Sequence, residues 1–323
     1  MTKLLVRRAL QGVVIVWLVA TFTFFLVALA PGDVADAVLS GDRVPREVRA
    51  RVRHELCLDQ GMALRYGCWI RSVAQGEFGY SVPEQRPVID ALGDAIPNTL
   101  ILMSLALAAS FLLGIAAGLA QARWPRSIVD RAVGGAALFF YSMPEFWLAL
   151  ILMFVFSYRL GWLPLTGMTD PVVYPYLGFW GRLGDRARHL VLPVGTLALL
   201  TSAAVARFQR SALLDVMTQD FVRTARAKGL SETAVLTHHV LRNALLPIIT
   251  LLGLSLPALL GGAVLVERVF SWPGMGMLAT TAVSTRDYPL LIAITIVASA
   301  MVVVGSVVAD LLYALADPRV RIA

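Results

Sequence analysis

Residues 100–120 read LILMSLALAASFLLGIAAGLA, a run without a single charged side chain. A helix rises about 1.5 Å per residue, so roughly 20 apolar residues cross a bilayer core about 30 Å thick. Within this run Gly114 and Gly118 lie on one helical face, where small residues permit close approach of another helix. The run therefore predicts a transmembrane helix that packs closely on a neighbour.

Five further stretches have the same character, and the whole chain is correspondingly apolar. Of its 323 residues 58% are hydrophobic and only 15% are charged. Continuously apolar runs exclude the alternating strands of a membrane barrel and favour helices. The sequence predicts an all-α integral membrane protein with about six transmembrane helices, at residues 9–30, 100–120, 132–156, 190–206, 244–266 and 290–316.

The basic residues are distributed unevenly between the segments that connect these runs. One set of segments holds 14 Lys and Arg in 63 residues: 1–8, 121–131, 207–243 and 317–323. The other set holds 14 Lys and Arg in 125 residues, balanced by 14 acids: 31–99, 157–189 and 267–289. Because basic residues accumulate on the cytoplasmic side, the first set and both termini are predicted to be cytoplasmic. The formal charge of +7 thus indicates membrane orientation and gives no support to nucleic-acid binding.

The loop 31–99 is too polar for the membrane and longer than a simple connection requires. It contains a charged segment, 43–55, that is typical of a surface helix. A docking role for this extracytoplasmic loop is favoured over that of a passive connector. Cys57 and Cys68, the only cysteines, both lie in it. In an oxidising compartment they can form a disulfide, and the sequence leaves the bonded and free states open.

The segment 207–243 is the other unusual connection, and it is rich in arginine. Apolar residues recur at helical spacing over 211–227, and Gly229 then breaks the run. Ser231 can cap a second helix at 232–241. The prediction is a pair of short helices around a glycine, either as a merely solvated face or as a rigid protrusion for a soluble partner.

Motifs of several enzyme classes are absent from the sequence. Lysine occurs only at Lys3 and Lys228, and neither lies in a phosphate-binding P-loop. His54 and Glu55 begin like a zinc-protease helix, but Leu58 occupies the position of the second histidine. We therefore expect a chain that is not itself an enzyme and that has no metal site or cofactor of its own.

A single acid, Glu145, lies near the middle of the third predicted span, directly after Pro144. A carboxylate at that depth is costly unless it faces water or a partner. It is interpreted as lining a pathway, where it can sense a cationic group, or alternatively as a paired structural acid. Asp310 lies nearer the end of its span and is interpreted as structural.

Several different short motifs follow one another along nearly the whole chain, and their order is characteristic. They are Leu29-Ala30-Pro31-Gly32-Asp33, Phe78-Gly79-Tyr80-Ser81, Ser142-Met143-Pro144, Phe146-Trp147-Leu148-Ala149, Gly161-Trp162-Leu163-Pro164, Leu241-Arg242-Asn243-Ala244-Leu245, Phe270-Ser271-Trp272-Pro273-Gly274 and Arg286-Asp287-Tyr288-Pro289. Together with the stretch 223–230, this order resembles the permeases of binding-protein-dependent ABC importers, specifically the dipeptide, oligopeptide and nickel branch. Two features depart from the family: Arg223 stands where the general motif has an acid, so an acid-based contact is not carried over, and the cysteine pair is unusual.

The resemblance implies a type I ABC importer transmembrane domain at 95–316. It follows a tail and first helix at 1–30 and the extracytoplasmic loop 31–99, and it precedes a tail at 317–323. The 207–243 loop would couple the chain to an ATPase through Arg223, Thr224, Ala225, Arg226, Ala227, Lys228, Gly229 and Leu230. The implied partners are a homologous second permease, two ATPase subunits that bind ATP and Mg, and an extracytoplasmic substrate-binding protein. The implied location is a bacterial or archaeal plasma (inner) membrane.

The function implied is import of a small solute, with di- or oligopeptides first. Nickel chelates, glutathione and opine-like compounds are alternatives, because substrate choice resides largely in a separate polypeptide. An ion-gradient-driven secondary transporter with Glu145 as its ion site, or a membrane scaffold or receptor, represents a different class. Such a transporter would not explain the basic two-helix loop, and inverted repeats are not evident in the sequence.

Overall fold

The computed structural model describes residues 2–29, 57, 59–261 and 263–316. The surface helix expected at 43–55 and the tail 317–323 lie outside the described residues. The helices in chain order are α1 Thr2–Leu29, α2 Met62–Ala74, α3 Val88–Arg123, α4 Ile128–Tyr141, α5 Glu145–Leu152, α6 Phe179–Met217, α7 Asp220–Ala227, α8 Glu232–Ala234, α9 Leu241–Ala244, α10 Leu246–Gly261, α11 Val264–Val269, α12 Met275–Ser284 and α13 Tyr288–Ala316.

The remaining regular structure is short. Two π-helical segments, Met153–Arg159 and Val235–Val240, continue α5 and join α8 to α9, and a 3₁₀ turn covers Tyr174–Tyr176. Two short antiparallel strands, β1 Tyr80–Ser81 and β2 Arg86–Pro87, lie directly before α3. The fold is therefore a helical bundle, as the sequence predicts.

Four helices, α1, α3, α6 and α13, are long and apolar enough to cross a membrane unbroken. Two bent helix pairs follow the same composition: α4 with α5 and its continuation, at 108°, and 232–244 with 246–257, at 43°. The described residues therefore contain four candidate spans, or six when each bent pair is counted as one span. The predicted span 132–156 is interrupted between Tyr141 and Glu145, because the ring of Pro144 disfavours helical geometry in the preceding residue.

The helices α3 and α6 extend well beyond the apolar runs predicted for them. α3 begins at Val88 where the prediction began at 100, and α6 covers Phe179–Met217 where the prediction covered 190–206. The added turns at the start of α3 and at the end of α6 bury one face against protein, whereas residues 179–188 of α6 are nearly all exposed. Val88 and Leu92, for example, pack against α12 and α13. A search for continuously apolar runs misses such extensions.

The helices α3 and α6 pack closely together, and glycines make this possible. A Cβ at Gly114 would lie 2.5 Å from the Val205 Cβ, and one at Gly118 would lie 2.7 Å from the Gln209 Cβ. Both distances are shorter than real side chains allow. The prediction of a small-residue contact face on α3 is confirmed.

The bundle has two ends of different character. One, called here the basic end, carries residues 121–131 and 207–245, which meet where Arg123 Nη2 donates to Thr233 Oγ1 over 3.4 Å. The other, called here the loop end, carries residues 57–87, 160–178 and 267–287. Its segments are tied together by contacts such as the 2.8 Å hydrogen bond from the Gly167 amide to the Phe270 carbonyl. The candidate functional residues divide between these two ends and the interior.

Candidate functional site: a coupling surface and a membrane acid

The short helix α7 at the basic end is held to the bundle by one apolar face. Val222 is fully buried and Ala225 is 5% exposed. They join a cluster that spans α3, α6 and the helices after the turn, made of Ala122, Ala212, Leu213, Val216, Val222, Ala225, Val235, Leu236, Val240 and Ala244. The buried face of α7 is therefore packed against α6 and against the segment that leads into α10.

The turn after α7 has the features predicted for it. Gly229 adopts φ +81°, a left-handed conformation that glycine accepts most readily. Its amide donates to the Arg226 carbonyl at 2.9 Å and so ends the helix. Ser231 Oγ then accepts from the Ala234 amide at 3.3 Å and caps α8. The glycine break and the serine cap are both confirmed.

The extents of the two predicted helices need correction. Residues 211–227 do not form one helix, because α6 ends at Met217 and α7 starts anew at Asp220. Gln219 is extended there, with ψ 150°. The second helix does not stop at 241 but continues through the π-helical segment to Ala244. The result is a hairpin of short helices at residues 220–244, called here the α7 hairpin, in place of two longer helices.

The outer face of this hairpin is polar and exposed. Of the eight residues predicted to couple the chain to an ATPase, only Ala225 is buried, and the others face outward: Arg223, Thr224, Arg226, Ala227, Lys228, Gly229 and Leu230. Arg226 donates two hydrogen bonds, 2.8 and 3.2 Å long, to the Glu232 carboxylate across the turn. This fork joins the two sides of the turn, so the exposed surface has a defined shape.

Next to the hairpin, a salt bridge attaches α4 to α6. Arg210 donates through Nε and Nη2 to the two carboxylate oxygens of Asp130, both at 2.9 Å. Asp130 also accepts from the Arg126 amide at 2.8 Å, while Ser127 Oγ caps α4 by accepting from the Asp130 amide. Sequence reasoning missed this site. The signal was present, because Ser127-x-x-Asp130 is a helix-capping pattern.

Glu145 is the first residue of α5, directly after the break at Pro144. One carboxylate oxygen, Oε1, is shielded from solvent and has no hydrogen-bond partner. Its position at an interrupted helix was not foreseen, and its role as a pathway residue stays a prediction. Asp310, by contrast, forms a 2.7 Å ion pair with Arg8.

At the loop end, the side chain of another acid, Glu267, is completely buried. Glu267 accepts from Thr99 Oγ1 at 2.8 Å and from the Gly276 and Met277 amides at 2.7 and 3.1 Å. Thr99 Oγ1 in turn accepts from the Met275 amide at 2.7 Å. The first three amides of α12 thus bind side chains from α3 and α11. Sequence reasoning missed Glu267, because its partner Thr99 lies far away in the chain.

The loop before α3 is anchored by a disulfide and by two hydrogen bonds. Cys57 and Cys68, whose state the sequence left open, form a disulfide. It joins the start of this segment to α2, where Tyr66 is hydrogen-bonded to Thr21 of α1 at 2.7 Å. Ser81 donates to the Asp287 carboxylate, next to the start of α13. The loop is therefore attached to both α1 and α13.

Comparison with known proteins agrees with this architecture. The family of binding-protein-dependent transport system inner membrane components matches residues 110–322, and its N-terminal companion family matches residues 1–104. In structure, the chain is similar to an amino acid ABC transporter crystallised with histidines, with a TM-score of 0.51 and 17% identity. That match covers 70% of this chain and 94% of the other. It shows the fold of an ABC importer membrane domain.

Several named relatives are similar to this chain over almost its full length. The oligopeptide transport system permease protein AppB of Bacillus subtilis is 36% identical over 99% of this chain and 100% of its own length. The di/tripeptide transport system permease protein DppB of Pseudomonas aeruginosa is 39% identical over 94% of each chain. The glutathione transport system permease protein GsiC of Salmonella choleraesuis is 37% identical over 99% of each. The chain belongs to the family of binding-protein-dependent transport system inner membrane components.

Proposed function

We propose that this chain is one of two homologous permease subunits of an ATP-driven importer for di- or oligopeptides in a bacterial or archaeal inner membrane. The observation that carries the proposal is the α7 hairpin, with an apolar face packed on the bundle and a polar face exposed around Gly229. In this arrangement the basic end faces the cytoplasm, with both termini. Two ATPase subunits bind there, and they supply the ATP and Mg that this chain does not bind.

Transport follows from the packing of the hairpin. When the ATPase subunits close on ATP, the exposed turn moves with the ATPase surface that holds it. The buried side chains of α7 then displace α6 and the helices leading into α10, because cores are close-packed and transmit strain. Two permeases moved in this way change from inward to outward opening, and hydrolysis resets them.

Substrate arrives at the loop end on a separate extracytoplasmic binding protein. The disulfide-linked α2 and the β1–β2 hairpin are the surfaces offered to it. They are anchored to α1 through Tyr66 and to the start of α13 through Ser81 and Asp287. A docking signal therefore reaches α1 and α13, whereas the hairpin acts on α6 and on the helices leading into α10 from the other end.

The peptide assignment follows the named relatives, since two of the three described above are permeases for peptides. Glutathione, itself a tripeptide, is the second candidate, because a glutathione permease is similar over 99% of both chains. The ion-gradient-driven transporter loses its support, because the matching family depends on binding proteins.

The test replaces Gly229 with valine, and the chain offers a matched control. Gly229 and Gly76 have φ of +81° and +80°, and a Cβ at either would meet nothing within 4 Å. Each valine therefore introduces a similar backbone strain, about 1–2 kcal/mol, at a position where its Cβ meets no neighbour. We expect Gly229→Val to lose co-purification of the ATPase subunits and substrate-stimulated ATP hydrolysis, and Gly76→Val to retain the ATPase subunits.

The thermal stability of the two variants separates strain from function. Both should unfold at similar temperatures, since the strain is similar and both sites are exposed. A Gly229→Val variant that keeps its ATPase subunits and its full substrate-stimulated hydrolysis would show that the turn is not the coupling surface.

A further inference from the structure

A cavity of about 290 Å³ lies between α3, α4 and α6, next to the basic end of the bundle. Small and apolar residues form most of its wall, namely Gly134, Ala137, Leu138, Ala203 and Ala204. Two arginines of α6 complete it. No residue of the α7 hairpin lines this cavity, so the proposed coupling role does not account for it.

The two arginines in the wall differ in their partners. Arg210 is neutralised by its two hydrogen bonds to the Asp130 carboxylate. Arg207 lies one turn away on the same face of α6, and its side chain is exposed. In the part of the chain that the structure describes, it has neither an ion pair nor a hydrogen bond. The cavity therefore has one uncompensated positive charge beside an apolar wall.

The position of Arg207 along α6 places this charge near the surface of the bilayer. Since α6 ends at the basic end, Arg207 lies about 4.5 Å deeper along the helix axis than Arg210. An arginine at such a depth extends its guanidinium toward the membrane–water interface. Trp124, which follows α3 and is 51% exposed, belongs to the residue type enriched at that interface. The charge is therefore at the level of the lipid headgroups.

The apolar wall and the single charge together define the chemistry of a ligand. The guanidinium fork of Arg207 matches two oxygens of a phosphate group. A peptide would leave backbone amides and carbonyls unpaired against Ala137 and Leu138, which is unfavourable. A hydrocarbon chain suits the same wall. Basic pockets between transmembrane helices on the cytoplasmic side bind lipid headgroups in this way.

We propose that this cavity binds one anionic phospholipid of the cytoplasmic leaflet, with its phosphate on Arg207 and part of an acyl chain between α4 and α6. The lipid links these two helices close to the salt bridge between Asp130 and Arg210. The inference rests on the proposed function for its membrane orientation, in which the basic end is cytoplasmic. It does not depend on which solute is transported.

The test measures lipid binding to the complete transporter in detergent by native mass spectrometry. The probes are dioleoylphosphatidylglycerol, which is anionic, and dioleoylphosphatidylcholine, in which the choline cation offsets the phosphate charge. We expect wild-type complexes to bind the first phosphatidylglycerol about tenfold more tightly than the first phosphatidylcholine, through charge-assisted hydrogen bonds to Arg207. Arg207→Gln should remove this preference. The same spectra report that each variant complex is intact.

Arg131→Gln is the matched control, because Arg131 is an exposed arginine near the start of α4 that does not line the cavity. It should keep the preference for phosphatidylglycerol. Ala137→Leu fills the cavity without changing the charge, so it should weaken phosphatidylglycerol binding as Arg207→Gln does. A preference that survives in Arg207→Gln, or that falls equally in Arg131→Gln, would overturn the site in favour of diffuse surface charge.

Other occupants of the cavity give different results. Displacement of phosphatidylglycerol by inorganic phosphate would assign the cavity to a free anion and contradict the lipid site. Wild-type complexes without any preference would mean that another subunit covers the cavity, and the proposal would be wrong. Binding is measured without ATP or solute, so failure of the lipid site leaves the importer intact. A complex that binds the lipid but transports no peptide would instead contradict the proposed function.

Discussion

At Gly274 the packing of the loop end leaves no room for a side chain. A Cβ on it would lie 2.5 Å from both Glu267 Oε2 and Thr99 Oγ1. Gly274→Ala must therefore push apart the side chains that bind the first amides of α12. We expect a loss of about 1–3 kcal/mol in stability, because overpacking and broken buried hydrogen bonds add together. Thermal unfolding in detergent measures it.

Gly93→Ala is the control for this substitution. Gly93 lies in α3, and a Cβ there meets nothing within 4 Å. Alanine should be neutral or should stabilise the helix by about 0.5–1 kcal/mol. If Gly274→Ala unfolds at the same temperature as Gly93→Ala, then Glu267 and Thr99 do not hold the start of α12 as tightly as the structure shows.

Glu145 and Glu267 differ in how readily the sequence alone identifies them. Glu145 was identified because a lone carboxylate within an apolar run is conspicuous. Glu267 was not, since it lies just beyond the predicted end of its span and its burial depends on Thr99 of α3. Burial that arises from pairing between distant segments leaves no local pattern.

Among the elements, α4 is linked to α6 by a bidentate salt bridge. Arg210 uses two nitrogens for the two oxygens of Asp130, a geometry that lysine cannot reproduce. Arg210→Lys should weaken this attachment by about 1 kcal/mol. We expect faster trypsin cleavage in the 123–131 connection, which contains three arginines.

The matched control is Arg223→Lys. Arg223 pairs with Asp220 at 3.5 Å, and both side chains are largely exposed, 74% and 95%. Such surface pairs contribute little, so the cleavage rate should not change. Equal rates in the two lysine variants would mean that the Asp130 fork does not hold α4.

Helix breaks and helix extensions were the elements least visible in the sequence. The break between α4 and α5 follows from Pro144, but prolines at 193 and 257 lie inside α6 and α10 without interrupting them. Whether a proline ends a helix depends on the neighbours that satisfy the freed backbone groups. Those neighbours belong to other segments, so the outcome was not local.

For the whole molecule, the positions of the candidate spans and of the α7 hairpin were predictable from the sequence. The length of an apolar run and the distribution of arginine are properties of long stretches, so a few exceptional residues do not change them. The arrangement of the interior was not predictable in the same way. The packing of α5 on α11, for instance, joins Ala149 to Ala263 and Val266, and no periodicity encodes such a contact.

Orientation in the membrane gives the last prediction, made in a Cys57→Ser, Cys68→Ser background. Tyr176 at the loop end is 89% exposed, and Lys228 at the basic end is also exposed. Since positive charge stays on the cytoplasmic side, a membrane-impermeant maleimide added to spheroplasts should label Tyr176→Cys and not Lys228→Cys. Detergent treatment should make both react, which controls for intrinsic reactivity. Labelling of Lys228→Cys before detergent would place the hairpin outside, where no ATP-driven subunit is available, and the coupling role would be untenable.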